Sequence, residues 1–184
     1  MTLRTKGLAV LVVQLGLVLS IAAKYAWERH TCPRVWTRAT QFDPSEPIRG
    51  RYIALRLHAS ACGLPLGKDD EEYGPNAAGE QAVFHTHSWK VVPAVRDGKL
   101  APVVASEQRP EETQQLTLRS GLPCEFAALS GYTEFFIAEH AKTPFPLAAG
   151  EELWAEVTVP PSGPPRPVRL AVSDGRNFRV LDLR

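Results

Sequence analysis

The string His85-Thr86-His87 carries the most chemistry per residue in the chain, because residues two apart on a strand project to one face and two imidazoles there can ligate zinc or copper. No third ligand lies nearby in sequence. Val83, Trp89 and Val91 fall on the same face, so two partly buried histidines are the preferred reading, and His85 and His87 stand as weak metal candidates only. Glu134 and Glu139, with His140 alongside, have the residue types of an acid–base pair. Five residues apart on a strand means opposite faces, which favours a local salt bridge or hydrogen bond for Glu134 and a loop position for Glu139. Tyr52, Arg56 and His58 share a face, forming a polar ledge that is the first place to look for a ligand. The acidic run from Asp69 to Glu72 lacks the alternating oxygen spacing of a calcium loop and reads as solvated charge on a surface loop. Ser88 and Lys90 are strand neighbours without a dyad motif. The chain has no G-x-S-x-G, Walker loop, G-x-G-x-x-G or H-E-x-x-H. The expectation is therefore a protein with no catalytic residue and no cofactor to assign.

The elements that position these residues read as short strands. Gly and Pro number 13 and 16 of 184 residues, about one in six, which favours a turn-rich β chain over a helix bundle. From Arg51 to His58, Ile53, Leu55 and Leu57 alternate against Tyr52, Ala54, Arg56 and His58. Further strands are expected at 82–92, 100–105, 115–120 and 134–138, the last a buried run EFFIA, with a short helix open for 124–129. Asp97-Gly98 and Asp174-Gly175 are hairpin signals, since Asp-Gly accepts positive φ. Near the C-terminus, Leu153, Ala155, Val157 and Val159 alternate, then Val168, Leu170 and Val172. A last strand puts Phe178 and Val180 on one face before the pattern slips at Leu181 and Leu183, which calls for a bulge or two-sided burial. The fold class expected is mainly β: an N-terminal transmembrane helix followed by one antiparallel sandwich-like or barrel-like domain.

The N-terminal segment is the strongest physical signal. Gly7 to Ala23 carries no charge, with only Gln14 and Ser20 polar, and Lys24, Tyr25 and Trp27 follow as boundary residues. A single membrane span through residues 7–23 is expected. The competing reading is a cleaved signal peptide, with Arg4 and Lys6 as its basic start and Ser20-Ile21-Ala22 as cleavage site. Both readings send the remainder outside the cytoplasm. The expected organisation is an anchor over 1–27, a juxtamembrane stalk over 28–47 with room for an extra helical turn, and an extracytoplasmic β domain over 48–184.

Net charge is +1, from 21 basic and 20 acidic residues, which removes the electrostatic case for a nucleic-acid partner. Cys32, Cys62 and Cys124 are too few and too irregularly spaced for a zinc motif. A Cys62–Cys124 disulfide with Cys32 left over and three reduced thiols both remain open.

The string GRYIALRLH resembles the signature of the GDYXXLXY family of bacterial membrane-anchored proteins. Gly50, Tyr52 and Leu55 match, while Arg51 stands in place of the aspartate and Leu57 in place of the final tyrosine. The segment YTEFFIAEH, with Glu134, Phe136, Ile137 and Glu139, and the ending LWAEVTV…VRLAVSDG are similar to the family in the same order. The resemblance implies a single-pass protein of the bacterial inner membrane, its β domain outside the cytoplasm, that accompanies a multi-span membrane protein. It implies no reaction, and Arg51 removes any role needing a carboxylate there. The expected function is thus a membrane-anchored, non-enzymatic accessory or interaction module. An envelope metal- or ligand-binding protein or enzyme, using His85 and His87 or the Tyr52, Arg56 and His58 face, is the alternative.

Overall fold

The absence of charge between Gly7 and Ala23 leaves nothing to interrupt a helix, and α1 runs over Leu3–Thr31. Its hydroxyls turn back onto the helix rather than breaking it: Ser20 Oγ donates to the Leu17 carbonyl at 2.8 Å and Thr31 Oγ1 to that of Trp27 at 2.8 Å. At 1.5 Å per residue α1 rises about 44 Å, more than the roughly 30 Å of a hydrocarbon core. By length and composition the helix can cross a membrane, with a mean hydropathy of 2.0 in its apolar window, a test that a signal sequence near an N-terminus also passes. The computed structural model describes residues 3–42, 52–75, 79–105, 113–141 and 145–183. It divides into two compact units, Met1–Cys32 and Pro33–Arg184.

The second unit is an antiparallel β domain. Its strands are β1 Arg34–Phe42, β2 Tyr52–Ala59, β3 Lys68–Pro75, β4 Gln81–Val92, β5 Val95–Arg96, β6 Lys99–Leu100, β7 Val103–Val104, β8 Gln114–Arg119, β9 Ala127–Leu129, β10 Thr133–Phe136, β11 Glu152–Thr158, β12 Arg166–Ser173 and β13 Phe178–Val180. Hydrogen bonding links them in the order β13-β12-β11-β1-β2-β9-β8-β4-β3, with β10 added to β2 and β7 to β4, while β5 and β6 form a separate hairpin. Strand β2 joins two layers: β1 and β10 pair with its first part and β9 with its end, at His58–Ala128. The result is a sandwich that is not closed into a barrel, because β13 and β3 end the order without meeting.

Alternation puts Ile53, Leu55 and Leu57 of β2 inside with Leu153, Ala155 and Val157 of β11, Leu170 and Val172 of β12, Val91 of β4 and Leu116 of β8. Leu55, Leu116, Leu170, Val91 and Val157 are fully buried, and each withdraws apolar area worth about 1.5–3 kcal/mol. The Asp97-Gly98 hairpin forms as expected, with φ of 51° and 71°. At the β12–β13 turn, Asp174 accepts from the backbone N–H groups of Asn177 (2.7 Å) and Arg176 (2.8 Å), and these bonds hold its carboxyl down at about 2.

Four sequence expectations are corrected. The stretch 34–42, read as stalk, is the interior strand β1, paired to β11 from Arg34–Thr158 to Ala39–Leu153 and to β2 on its other side. The acidic run, read as loop, lies in β3, which pairs with β4 along its whole length. The segment 134–138 is not fully buried: its strand is β10, and Phe136 is 68% exposed, because β10 adds to β2 only over Tyr52–Leu55. The 124–129 helix is a single 3₁₀ turn at Cys124–Phe126 that gives way to β9. At the C-terminus β13 stops at Val180, where the expected slip occurs, and Leu183 returns to the core.

Cys62 and Cys124 form a disulfide with a Cα–Cα distance of 5.0 Å, tying the segment after β2 to the 3₁₀ turn, and Cys32 is a free thiol. The Ala61 N–H donates to the Cys124 carbonyl beside it at 2.9 Å.

Candidate functional site

Period-two alternation gives β1 a second face opposite the core, bearing Trp36, Arg38 and Thr40. Cross-strand register brings Trp154 beside Arg38 and Glu156 beside Trp36, and the next strand sets Arg169 beside Glu156. Together with Phe178 of β13 and Phe126, they build a row in which three successive rings lie between two arginines. The Arg169 guanidinium lies 5.8 Å from the Trp36 ring, Trp36 meets Phe178 edge-on at 4.9 Å, and Phe178 meets Trp154 at 6.1 Å. Arg38 then sits 5.5 Å from Trp154 and 4.5 Å from Phe126. Each such contact is worth about 0.5–1 kcal/mol at an exposed site, and together they stiffen side chains that would otherwise be free.

Carboxylates fix the two arginines. Arg38 Nε donates to Glu152 Oε2 at 2.9 Å. Arg169 grips Glu156 with Nε to Oε2 at 2.6 Å and Nη2 to Oε1 at 3.0 Å, a bidentate pair that lowers the Glu156 pKa below the usual carboxylate range. Trp154 Nε1 is buried without an acceptor among the described residues.

Arg38 also lines a cavity of about 530 Å³, together with His58, Phe126, Glu152, Leu147 and Leu153. His58 stands one step beyond the Ala39–Leu57 pair. Its Nδ1 lies 3.2 Å from the Phe126 carbonyl, which can only accept, so Nδ1 donates, and in the neutral ring Nε2 keeps its lone pair. Burial lowers the His58 pKa, with the nearby Arg38 and Arg56 charges acting in the same direction, against the Phe126 bond and Glu152. The cavity thus offers an apolar wall, a neutral imidazole and a paired arginine. A second cavity of about 230 Å³, lined by Trp36, Trp154, Ser60 and Glu125, shares Arg38 with the first.

The structure separates several residues that the sequence grouped. Tyr52 shares the face of His58 by alternation, but six residues at about 3.3 Å each set them roughly 20 Å apart, and Tyr52 instead lies 6.3 Å from the Phe136 ring. Only His58 of the Tyr52, Arg56 and His58 ledge lines the cavity. Leu55 is a core residue. Glu134 lies on β10 opposite Ala54 while Glu139 is exposed in the turn beyond, and neither lines the cavity. Gly50 and Arg51 fall outside the described residues. His85 and His87 lie on β4, opposite Glu71 and Asp69 of β3. Trp89 is held by its neighbours, donating Nε1–H to the Pro65 carbonyl at 2.7 Å with Gly67 flat against its ring.

Sequence reasoning missed Arg38, Glu152 and Phe126. The signal for Arg38 was present in VWTRATQF, where Val35, Thr37 and Ala39 alternate with Trp36, Arg38 and Thr40. Among the described residues, Cys62, Cys124 and Glu125 bring three possible ligand atoms within 4.8 Å, but the disulfide consumes both thiols. No family model, curated protein or solved structure matches the chain.

Proposed function

We propose that this protein is a non-enzymatic binding module, anchored by α1 in a bacterial inner membrane with its β domain outside the cytoplasm, that serves a multi-span membrane protein as accessory. The observation that carries the reading is the row Arg169, Trp36, Phe178, Trp154 and Arg38: tryptophan and arginine are the residue types that dominate binding energy at protein interfaces, and here they are pre-ordered by stacking. A disulfide in the β domain fits an oxidising compartment. The order of anchor and β domain shared with the GDYXXLXY family supports the same arrangement.

The test is capture of the tagged full-length protein from gently solubilised membranes of its host, beside a Phe178→Ala/Val180→Asp variant, both positions being exposed on β13. One multi-span protein in a fixed ratio with the wild type, lost with a variant that circular dichroism shows to be folded, is the expected result. Recovery of the protein alone, or capture indifferent to the variant, overturns it. The cavity at His58 favours a second reading, a carrier of a small apolar ligand, for which native mass spectrometry of the purified protein would show a co-purifying mass.

A further inference from the structure

The register of β3 against β4 assembles a donor set invisible in the linear sequence. His87 faces Asp69 and His85 faces Glu71 in directly opposed antiparallel pairs, so all four side chains emerge on one face of the ribbon. The other half of the acidic run, Asp70 and Glu72, projects from the opposite face beside Thr86 and Phe84, and Asp70 is occupied there by Lys68 at 2.8 Å and Ser88 at 2.6 Å. This alternation excludes a calcium loop built from four consecutive carboxylates, and it leaves two imidazoles with two carboxylates as one group.

The face itself changes character along β4. Val91 is buried at one end, His87 and Trp89 are half-buried, and His85 and Val83 are exposed where the ribbon outruns the core. The histidines therefore sit at the border between the apolar interior and water, where an ion has access from one side. His87 Nδ1 is buried and makes no aligned hydrogen bond, yet Asp69 Oδ1 lies 2.6 Å from it. A carboxylate against one ring nitrogen is the arrangement that orients the other nitrogen toward a metal.

We propose that this face of the β3–β4 ribbon is a binding site for a divalent transition-metal ion of the zinc type, with His85, His87 and Glu71 as ligands and Asp69 as the positioning carboxylate of His87. Two imidazoles and one carboxylate suit zinc, which takes nitrogen at about 2.0–2.1 Å and carboxylate oxygen at about 2.0–2.2 Å and leaves a fourth position to water. The Cβ atoms of His85 and His87 stand about 7 Å apart on the strand, and imidazoles two residues apart reach a common ion across that spacing. Opposed residues are nearer still, at about 4.5–5.5 Å, which brings Glu71 within reach. Gathering the ligands takes rotation of the exposed His85 and Glu71 side chains toward the half-buried His87. On the ligand face Asp69 and Glu71 carry the charge, while Lys68 and Arg119 lie with Asp70 and Glu72 on the other, so the ligand face is the one that attracts cations.

The experiment is isothermal titration of the chelator-treated, detergent-solubilised full-length protein with zinc chloride alone, beside H85Q/H87Q, E71Q, D69N and E72Q variants whose melting temperatures are checked first. The expected result is one zinc per chain. The double histidine variant abolishes it, E71Q raises the dissociation constant at least about 10-fold, D69N raises it about 10–100-fold, and E72Q, on the other face, leaves it unchanged. Absence of zinc uptake by the wild type, equal uptake by H85Q/H87Q, or equal weakening by E72Q and E71Q overturns the site, the last by showing a diffuse charge effect.

Discussion

Removing the Cys62–Cys124 disulfide is the perturbation whose size the structure fixes best. The bond closes a loop of 62 residues that contains β3 through β8, most of the second layer of the sandwich. In the chain-entropy account, a loop of this length withdraws about 14 cal/mol/K from the unfolded ensemble, or about 4 kcal/mol at 25 °C. Cys62 is exposed and Cys124 half-buried, so serine fits both places without a clash. For a domain of this size each kcal/mol moves the midpoint by roughly 2–4 °C, so Cys62→Ser/Cys124→Ser should melt roughly 8–16 °C below the wild type. Circular dichroism at the β-sheet wavelength follows the transition, with Cys32→Ser in both proteins to exclude thiol exchange. A reducing agent should bring the parent to the variant's midpoint and leave the variant alone. A loss below about 3 °C, or a parent indifferent to reductant, would refute the loop-closure argument.

Other perturbations read different parts of the domain. Leu116→Ala removes a fully buried side chain opposite Leu129 and Trp89 and should cost about 2–5 kcal/mol by denaturant titration. At Gly67 an added Cβ would lie 2.6 Å from the Trp89 ring and 2.9 Å from the Ser88 carbonyl, so Gly67→Ala should cost about 1–3 kcal/mol and shift Trp89 fluorescence. His58 titrates below its ordinary value of 6.5 in the folded protein, so the unfolded chain binds the proton first. Stability is then full above pH 6.5 and falls as pH drops through that value. The wild-type melting temperature should decline between pH 7.5 and 5.5, and His58→Gln should flatten that decline; equal slopes would remove the buried neutral imidazole from the account.

The sequence was most readable where alternation was strongly apolar. Ile53, Leu55 and Leu57 mark β2 and thereby place His58 on the opposite face, which makes this one cavity residue legible from alternation alone. β1 escaped notice because its inward side is Val35, Thr37 and Ala39, small residues that bury well yet give little hydrophobic contrast. β3 escaped for the opposite reason. Lys68-Asp69-Asp70-Glu71-Glu72 has no apolar face, and its strand conformation comes from pairing with β4, a tertiary cause with no local trace. Glu152, Phe126 and Arg38 meet across 114 residues of chain at most, and no spacing rule foretells such a meeting.

Among the described residues β3 is also the last strand on its side of the sheet, so its outer backbone groups have no partner strand there. Such an edge is a template on which another chain can extend the sheet. Its four carboxylates stand on both faces, so an incoming copy would meet charge of its own sign whichever way it approached. The run that gives the ribbon its affinity for cations therefore also guards it against polymerisation. Acid, high salt or an excess of metal would lower that guard.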